Sequence, residues 1–426
     1  MQIADLKGKE VGGLVSGGLD SSTITHWLRQ HGAIPHCFTI DLGQPDEPDL
    51  ELVRQRMLAC GAATATIIPG QEPLAEAGLQ VIQSQARYEG DYWNTTGIAR
   101  YVTTRLGIQA LRERNIGILF HGATGRGNDQ VRFQLAANML APDIQIYAPW
   151  RDPKMLDTFG GRKEMVEYAA TYSLPIKASV EKIYSTDANM LGLTHEAGRL
   201  ESLETPTTLV EPEFGVWPWD APATPRLVSI RWQAGRPTEI EDTGGGAAAG
   251  SSAVRKDLSL IEVFKTANKL AGDYGVGIGR HVVENRFVGI KSRGVYEAPG
   301  MELLGQAYEF LLQLYLDRRA RELFDQLSRY LAVQIYEGYW YDFGTTAALA
   351  AVERFASQIT GTVTLRLSKG HVIFEGVTGA DGSLYAEEDA SMERAGSFDH
   401  ADAEGFLRVL GVPARNYSAM LKRLNR

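Results

Sequence analysis

Residues 11–22 read VGGLVSGGLDSS. The apolar run 11–15 predicts a short strand, residues 16–22 a glycine-rich turn, and the stretch through Thr25, Trp27 and Leu28 a helix. Paired glycines let a backbone turn tightly and bring its N–H groups close to a ligand. Serine hydroxyls and a helix N-terminus add donors and positive dipole, a combination that suits an oxyanion. The loop lacks the GK[ST] ending of a Walker A sequence and its lysine. It therefore reads as a holder of pyrophosphate rather than a device for moving a γ-phosphoryl group. Asp20, among the phosphate donors, could help hold a magnesium ion. The bland alternative is a glycine turn with a capping Ser or Asp.

Outward from this loop, residues 36–42 form a second apolar run ending at Gly43-Gln44-Pro45, and residues 64–68 a third ending at Pro69-Gly70. The stretch between them predicts a helix with Leu52, Val53, Met57 and Leu58 on one face. Residues 116–120 and 144–147 complete the set. Strands separated by helical segments imply right-handed crossovers and a parallel sheet, with ligands bound beyond the carboxyl ends of the strands. Two strand-end loops, residues 16–22 and 121–129, should then open onto one crevice. Gly12-Gly13 is looser than a β-branched pair and is expected to weaken the first strand.

After about Pro175 the texture changes to short strands, such as 227–232, joined by Pro- and Gly-bearing turns. Residues 362–367 alternate, turn at Lys369-Gly370 and return through 372–374 as a hairpin. Residues 301–337 carry Leu304, Tyr308, Leu311, Leu312 and Tyr315 at helical spacing. The run 244–253, GGGAAAGSSA, reads as a surface loop, and 413–426 as a terminal helix offering Tyr417, Met420 and Leu421 for packing. The chain of 426 residues has a net charge of −9 with no basic tail, which argues against a nucleic-acid partner. Cys37 and Cys60 form no CxxC pair, so no zinc site is expected and a reducing cytoplasm is. No signal peptide or bilayer-spanning run is evident, so no membrane partner is expected.

A second constellation, HGATGRGNDQVRF at residues 121–133, packs three glycines, a threonine, two arginines and an Asn-Asp pair into one loop. Gly122, Gly125 and Gly127 allow close backbone approach. Thr124, Asn128 and Asp129 offer a hydroxyl, an amide and a carboxylate, and Arg132 stands one helical turn beyond Asn128. Together they offer carboxylate donors and an ammonium acceptor, which suits a small zwitterion.

Residues 16–22 resemble the SGGxDS signature of the PP-loop ATP pyrophosphatases. Residues 121–133 resemble the signature loop of the argininosuccinate synthase family. The likeness continues through YSTDANMLGLTHEAG at 184–198 and VENRFVGIKSRGVYEAPG at 283–300, and Tyr92-Trp-Asn-Thr-Thr96 resembles that family's citrulline segment. The resemblance implies an α/β fold: a Rossmann-like, parallel-sheet PP-loop domain at 1–176, an α+β synthetase and multimerisation domain at 177–400, and a C-terminal helix at 401–426. It places Leu14, Val15, Ser16, Gly17, Gly18, Leu19, Asp20, Ser21, Ser22, Ile40, Gly122 and Asp187 around ATP. Aspartate would meet Thr124, Asn128 and Asp129. Citrulline would meet Tyr92, Thr96, Asn128, Arg132, Ser185, Thr194, Glu196, Glu284 and Tyr296. Asp20, Asn128, Asp129 and Arg132 are the expected catalytic set, with no protein-held metal beyond Mg2+ brought with ATP.

The implied reaction is attack of a ureido oxygen on the α-phosphate, loss of pyrophosphate, and displacement of AMP by the aspartate amine, whose proton Asp129 or the substrate itself would accept. Bulky Ile40 at a usually small adenine-side position, Arg126 for the commoner lysine, Ser21 for threonine, and the 244–253 insertion depart from the pattern. They leave open a paralogue acting on another ureido or amide acceptor. A non-catalytic nucleotide-binding protein on the same fold is the alternative of another class. The resemblance also implies a homotetramer.

Overall fold

The structure is a computed structural model and describes residues 1–47, 49–125, 127–176, 183–244, 253–391, 393, 396 and 399–424. These fall into two compact units, Met1–Gly382 and Ser383–Arg426. Residues 245–252, most of the expected glycine-alanine loop, and Arg126 lie outside the described residues.

The first unit begins with β1 (Glu10–Leu14), α1 (Leu19–Gln30), β2 (Ile34–Asp41), α2 (Leu50–Ala59), β3 (Thr64–Pro69), α3 (Gln71–Gln83), α4 (Thr95–Glu113), β4 (Ile118–His121), α5 (Asn128–Leu140) and β5 (Gln145–Tyr147). The five strands run parallel in the order β3-β2-β1-β4-β5. The order reverses between β1 and β4, which makes that seam the place where strand-end loops part and leave a crevice. One face of the sheet is covered by an apolar layer that includes Trp27, Leu28, Met57 and Phe120, the other by Phe38, Leu111, Phe133 and Ala137.

Two local expectations are corrected here. Gly12 and Gly13 do not loosen β1: a Cβ on Gly12 would lie 2.2 Å from Leu111 Cδ2 and one on Gly13 2.0 Å from Phe120 Cζ. Neighbouring side chains fill the space that the glycines leave, so packing replaces what β-branching would supply. On α2, Leu52 is 48% exposed and Leu58 37%, whereas Val53, Arg56 and Met57 are buried. The helix turns an arginine inward instead of two leucines.

After α6 (Pro153–Thr158) and α7 (Arg162–Thr171) come the hairpin β6 (Ser185–Asn189) and β7 (Gly192–Glu196), then β8 (Arg226–Gln233), β9 (Arg236–Gly244), β10 (Ala253–Arg255), α8 (Leu260–Gly272), β11 (Arg280–Asn285) and β12 (Lys291–Glu297). The unit ends with α9 (Pro299–Tyr315), α10 (Arg318–Glu337), α11 (Phe343–Ala356), β13 (Gly361–Ser368) and β14 (His371–Thr378). Two antiparallel sheets result, β10-β9-β8-β13-β14 and β11-β12-β7-β6. The expected hairpin forms, with Ser368 opposite His371 and Val363, Leu365 and Leu367 alternating into the core. The helical stretch 301–337 is two helices: Leu316 is extended, and Asp317 caps α10 by accepting from the Ala320 N–H at 2.8 Å. The second unit holds α12 (Glu387–Ala390), α13 (His400–Leu410) and α14 (Val412–Leu424), with Tyr417, Met420 and Leu421 exposed.

Candidate active site

The turn after β1 is braced by its own hydroxyls, which accept from two of its backbone N–H groups. Ser16 N–H donates to Ser21 Oγ at 3.1 Å, and the two hydroxyls lie 3.3 Å apart. Gly17 adopts φ of +78°, a left-handed value that favours glycine, and Gly18 precedes the first turn of α1 with no side-chain cap. Asp20 lies in that turn, and Trp150 Nε1 donates to its Oδ1 at 3.0 Å. Burial pushes the Asp20 carboxyl up, opposed by the Trp150 hydrogen bond. Leu14, Val15, Leu19 and Ile40 have their side chains in the core, and Ile40 packs against Gly70.

The second loop meets the first at the β1–β4 seam. A Cβ on Gly122 would come within 3.5 Å of the Asp20 Cβ and 3.9 Å of the Ser21 nitrogen. A Cβ on Gly125 would lie 3.0 Å from the carbonyl oxygen of Trp150, the residue that holds Asp20. Thr124 is exposed at the loop, and Asn128 and Asp129 open α5. His121, buried at the end of β4, is pushed down to about 3 by burial and by Arg151, and so stays neutral.

The substrate candidates from the second half share one sheet face. In register, Ser185 pairs with Glu196 and Asp187 with Thr194; Thr194 then pairs with Tyr296, Glu196 with Gly294, and Glu284 with Ser292. Because strand side chains alternate, this register puts Ser185, Asp187, Thr194, Glu196, Glu284 and Tyr296 on the same side. The Tyr296 ring stacks on Tyr92 at 4.1 Å between centroids, and Thr96 Oγ1 lies 2.9 Å from Thr194 Oγ1. A Cβ on Gly294 would meet the Tyr296 hydroxyl at 2.3 Å, so the glycine makes room for that ring.

Charges bind this face to the loops. Asp129 is held on both oxygens: Arg100 Nε donates to Oδ2 and Arg132 Nη1 to Oδ1, each at 2.9 Å. Arg100 also pairs with Asp187. Burial works to raise the Asp129 carboxyl, but Arg100 and Arg132 outweigh it and hold it below the usual range. Asp187 is raised by burial and by Asp129 against the pull of Arg100. Glu196, though its side chain is 44% exposed, sits among enough protein that desolvation pushes its carboxyl up to about 7, with Asp129 adding repulsion and Arg286 opposing. The result is alternating cations and carboxylates, suited to zwitterions.

Three residues here escaped the sequence reading. Tyr336, on α10, receives the Asn128 amide at 2.7 Å on its hydroxyl and donates that hydroxyl to Glu284. Its carbonyl accepts Arg132 Nε and Nη2 at 3.0 and 2.8 Å, and its ring stacks on Tyr88 at 3.7 Å. Arg100 and Trp150 are the others. Arg100 lies four residues after Thr96, one turn along the same helix, and that spacing is the signal that could have found it. Tyr336 has no local signal.

Two family profiles match the chain: "Arginosuccinate synthase N-terminal HUP domain" over residues 13–175 and "Arginosuccinate synthase C-terminal domain" over residues 184–417. A curated argininosuccinate synthase of Rhodopirellula baltica is 41% identical over 402 residues, 94% of this chain and 96% of that relative. Among solved structures, a predicted tRNA methyltransferase subunit from Methanocaldococcus jannaschii aligns with 20% identity and a TM-score of 0.28, covering 38% of this chain and 74% of its own. Leishmania major tyrosyl-tRNA synthetase aligns at 12% and 0.16, covering 83% of this chain and 48% of its own. At those TM-scores neither solved structure bears on fold or chemistry.

Proposed function

The chain belongs to the argininosuccinate synthase family, and from that premise we propose how its residues divide the work. It is a ligase that forms a C–N bond between citrulline and aspartate, using ATP and releasing AMP and pyrophosphate. Residues 1–176 hold the nucleotide, 177–400 present the substrates, and 401–426 reach a neighbouring copy.

The loop 16–22 and the N-terminus of α1 hold the phosphates, beside Asp20 and Gly122. The residues fit a magnesium ion carried in by ATP: Asp20 supplies a carboxylate at the phosphate loop, and Mg2+ bound with phosphates needs only one or two carboxylates. Among the described residues no group of three or more His, Cys, Asp or Glu could hold a metal by itself. The ion would offset charge on the phosphates during displacement. Tyr92, Thr96, Thr194, Glu196, Glu284, Tyr296 and Ser185 orient citrulline so that its ureido oxygen faces the α-phosphate. Thr124, Asn128 and the Arg100–Asp129–Arg132 array hold aspartate against the activated carbon. Positioning and charge complementarity supply most of the acceleration.

Asp129 is a poor proton acceptor, because two guanidinium groups hold it ionised. The amine proton therefore passes to the substrate's own phosphate oxygens. The observation that carries this reading is the meeting of the two loops, with Gly122 against Asp20 and Asn128 opening the next helix. Purified protein should form AMP only when ATP, citrulline and aspartate are all present. ATP consumption indifferent to citrulline would overturn the acceptor assignment.

Two finer points belong to this proposal. The exposed apolar residues Phe406, Leu407, Leu410, Tyr417, Met420 and Leu421 of α13 and α14 would be covered in a homotetramer. Light scattering on the full chain and on a chain ending at residue 400 tests this; equal masses would refute it. The buried free thiols Cys37 and Cys60 suit a cytoplasmic enzyme, and no helix among the described residues is long and apolar enough to cross a membrane.

A further inference from the structure

The arginine that α2 turns inward lies directly behind the phosphate loop. Arg56 is 8% exposed, and its Nη1 donates to the Gly17 carbonyl oxygen at 2.6 Å. The same nitrogen lies 3.5 Å from Glu47 Oε2. Val53, one turn earlier on α2, closes the floor: a Cβ on Gly17 would meet its Cγ1 at 2.6 Å.

This contact decides which way one peptide faces. In a trans peptide the carbonyl and the following N–H point in opposite directions. With the Gly17 carbonyl drawn down to Arg56, the Gly18 N–H is turned away from α2. Among the described residues it donates only to the Ser16 hydroxyl, at a long 3.4 Å, a bond that a phosphate oxygen can displace. Flipped, the same peptide would present a carbonyl oxygen to the phosphates and repel them. The left-handed φ of Gly17 permits either orientation, so the glycine alone does not choose. The loop has no lysine of its own, and Arg56 stands behind it where a loop lysine would stand in front.

We propose that Arg56 is a positioning residue for pyrophosphate, acting through the Gly17 carbonyl to hold the Gly18 N–H toward the departing diphosphate. The inference rests on reading residues 16–22 as the nucleotide loop. It extends that reading to a helix outside the loop and its signature.

Arg56→Met, Arg56→Gln and Arg56→Lys separate the possibilities. Glutamine keeps a donor for the carbonyl without charge; methionine keeps bulk alone. Initial rates give KM for each substrate, product inhibition gives the pyrophosphate constant, and thermal melts report folding. Arg56→Met should raise the ATP KM and the pyrophosphate inhibition constant about tenfold or more, with the KM values for citrulline and aspartate within twofold of wild type. Glutamine and lysine should recover most of that loss. Equal losses in methionine and glutamine variants would overturn positioning in favour of charge alone. A drop in active fraction with every KM unchanged would overturn it in favour of a purely structural role. Should Arg56→Met fail to fold, the glutamine and lysine variants carry the comparison: a tenfold loss in the glutamine variant alone refutes the proposal. Equilibrium dialysis of wild type with ATP keeps the two readings apart, since absence of binding there would remove the nucleotide loop itself.

Discussion

Replacing Tyr336 by phenylalanine deletes one oxygen and leaves its surroundings in place. The ring still stacks on Tyr88, and the backbone carbonyl still takes both Arg132 nitrogens. What disappears is a hydroxyl that donates to Glu284 and accepts from Asn128 at 2.7 Å. A hydrogen bond to a charged partner contributes about 1.5–3 kcal/mol, and an unmade bond at a buried amide costs about 1–3 kcal/mol. The two overlap, because a bound substrate restores part of what is lost, so about 2–3 kcal/mol is the expected penalty. That corresponds to roughly 30- to 150-fold in kcat/KM for citrulline. The direction is reinforced by charge: burial raises the Glu284 carboxyl and the Tyr336 hydrogen bond lowers it, so the variant favours the neutral acid, which holds an ammonium less well. Steady-state rates at saturating ATP and aspartate measure this, with the ATP KM as the internal control. A citrulline kcat/KM within threefold of wild type, in a protein that melts normally, would refute the claim that Tyr336 organises Asn128 and Glu284.

Asp129→Ala should abolish product while much of ATP binding remains; Arg100 keeps Asp187 and Arg132 keeps the Tyr336 carbonyl, so the loss of a part-exposed shared carboxylate should lower stability by about 1–3 kcal/mol in a denaturant melt. Turnover at the wild-type rate would remove Asp129 from the mechanism. Glu196, pushed up to about 7, gains charge as pH rises from 6 to 8, so the citrulline KM should fall across that window and the Glu196→Gln variant should lose the dependence. The same shift means that the native state binds more protons than the unfolded chain between the ordinary carboxylate range and about pH 7. Stability from this group is therefore lost as pH rises through that window, and the glutamine variant should gain on wild type in melts above pH 7. Gly13→Val would drive a Cβ to 2.0 Å from the Phe120 ring and should cost about 3 kcal/mol, the upper end for overpacking; an unchanged urea midpoint would contradict the packing described for β1.

The parallel sheet was legible because its signals are local. Each strand ends at a Gly, Pro or hydroxyl cluster that punctuates the chain, and both active loops announce themselves by composition at residues 16–22 and 121–133. The shared face of Thr194, Glu196, Glu284 and Tyr296 follows from register, which the sequence alone did not provide; those residues came from a resemblance. Tyr336 stands 208 residues from Asn128, and nothing in the local spacing of α10 marks it apart from a core tyrosine. Arg56 was hidden for a different reason. Periodicity weighs hydrophobic content, so it favoured Leu52 and Leu58, while the folded chain needed a donor behind Gly17. The split between α9 and α10 was missed because Asp317 caps a helix within a stretch whose apolar spacing barely changes.

The hairpin of β6 and β7 turns through only Met190 and Leu191, with Asn189 opposite Gly192. Its reverse side carries His195, bonded through Nε2 to Glu297, whose carboxylate also receives the Glu213 and Phe214 N–H groups. One strand thus turns Thr194 and Glu196 to the face of the candidate site and His195 to the buried interior, distinguished only by even and odd position. A single-residue insertion or deletion within 186–195 would exchange the two populations, turning the imidazole onto the candidate-site face and driving a carboxylate inward. Substitutions along this ribbon can be absorbed one at a time, but its count of residues cannot change by one.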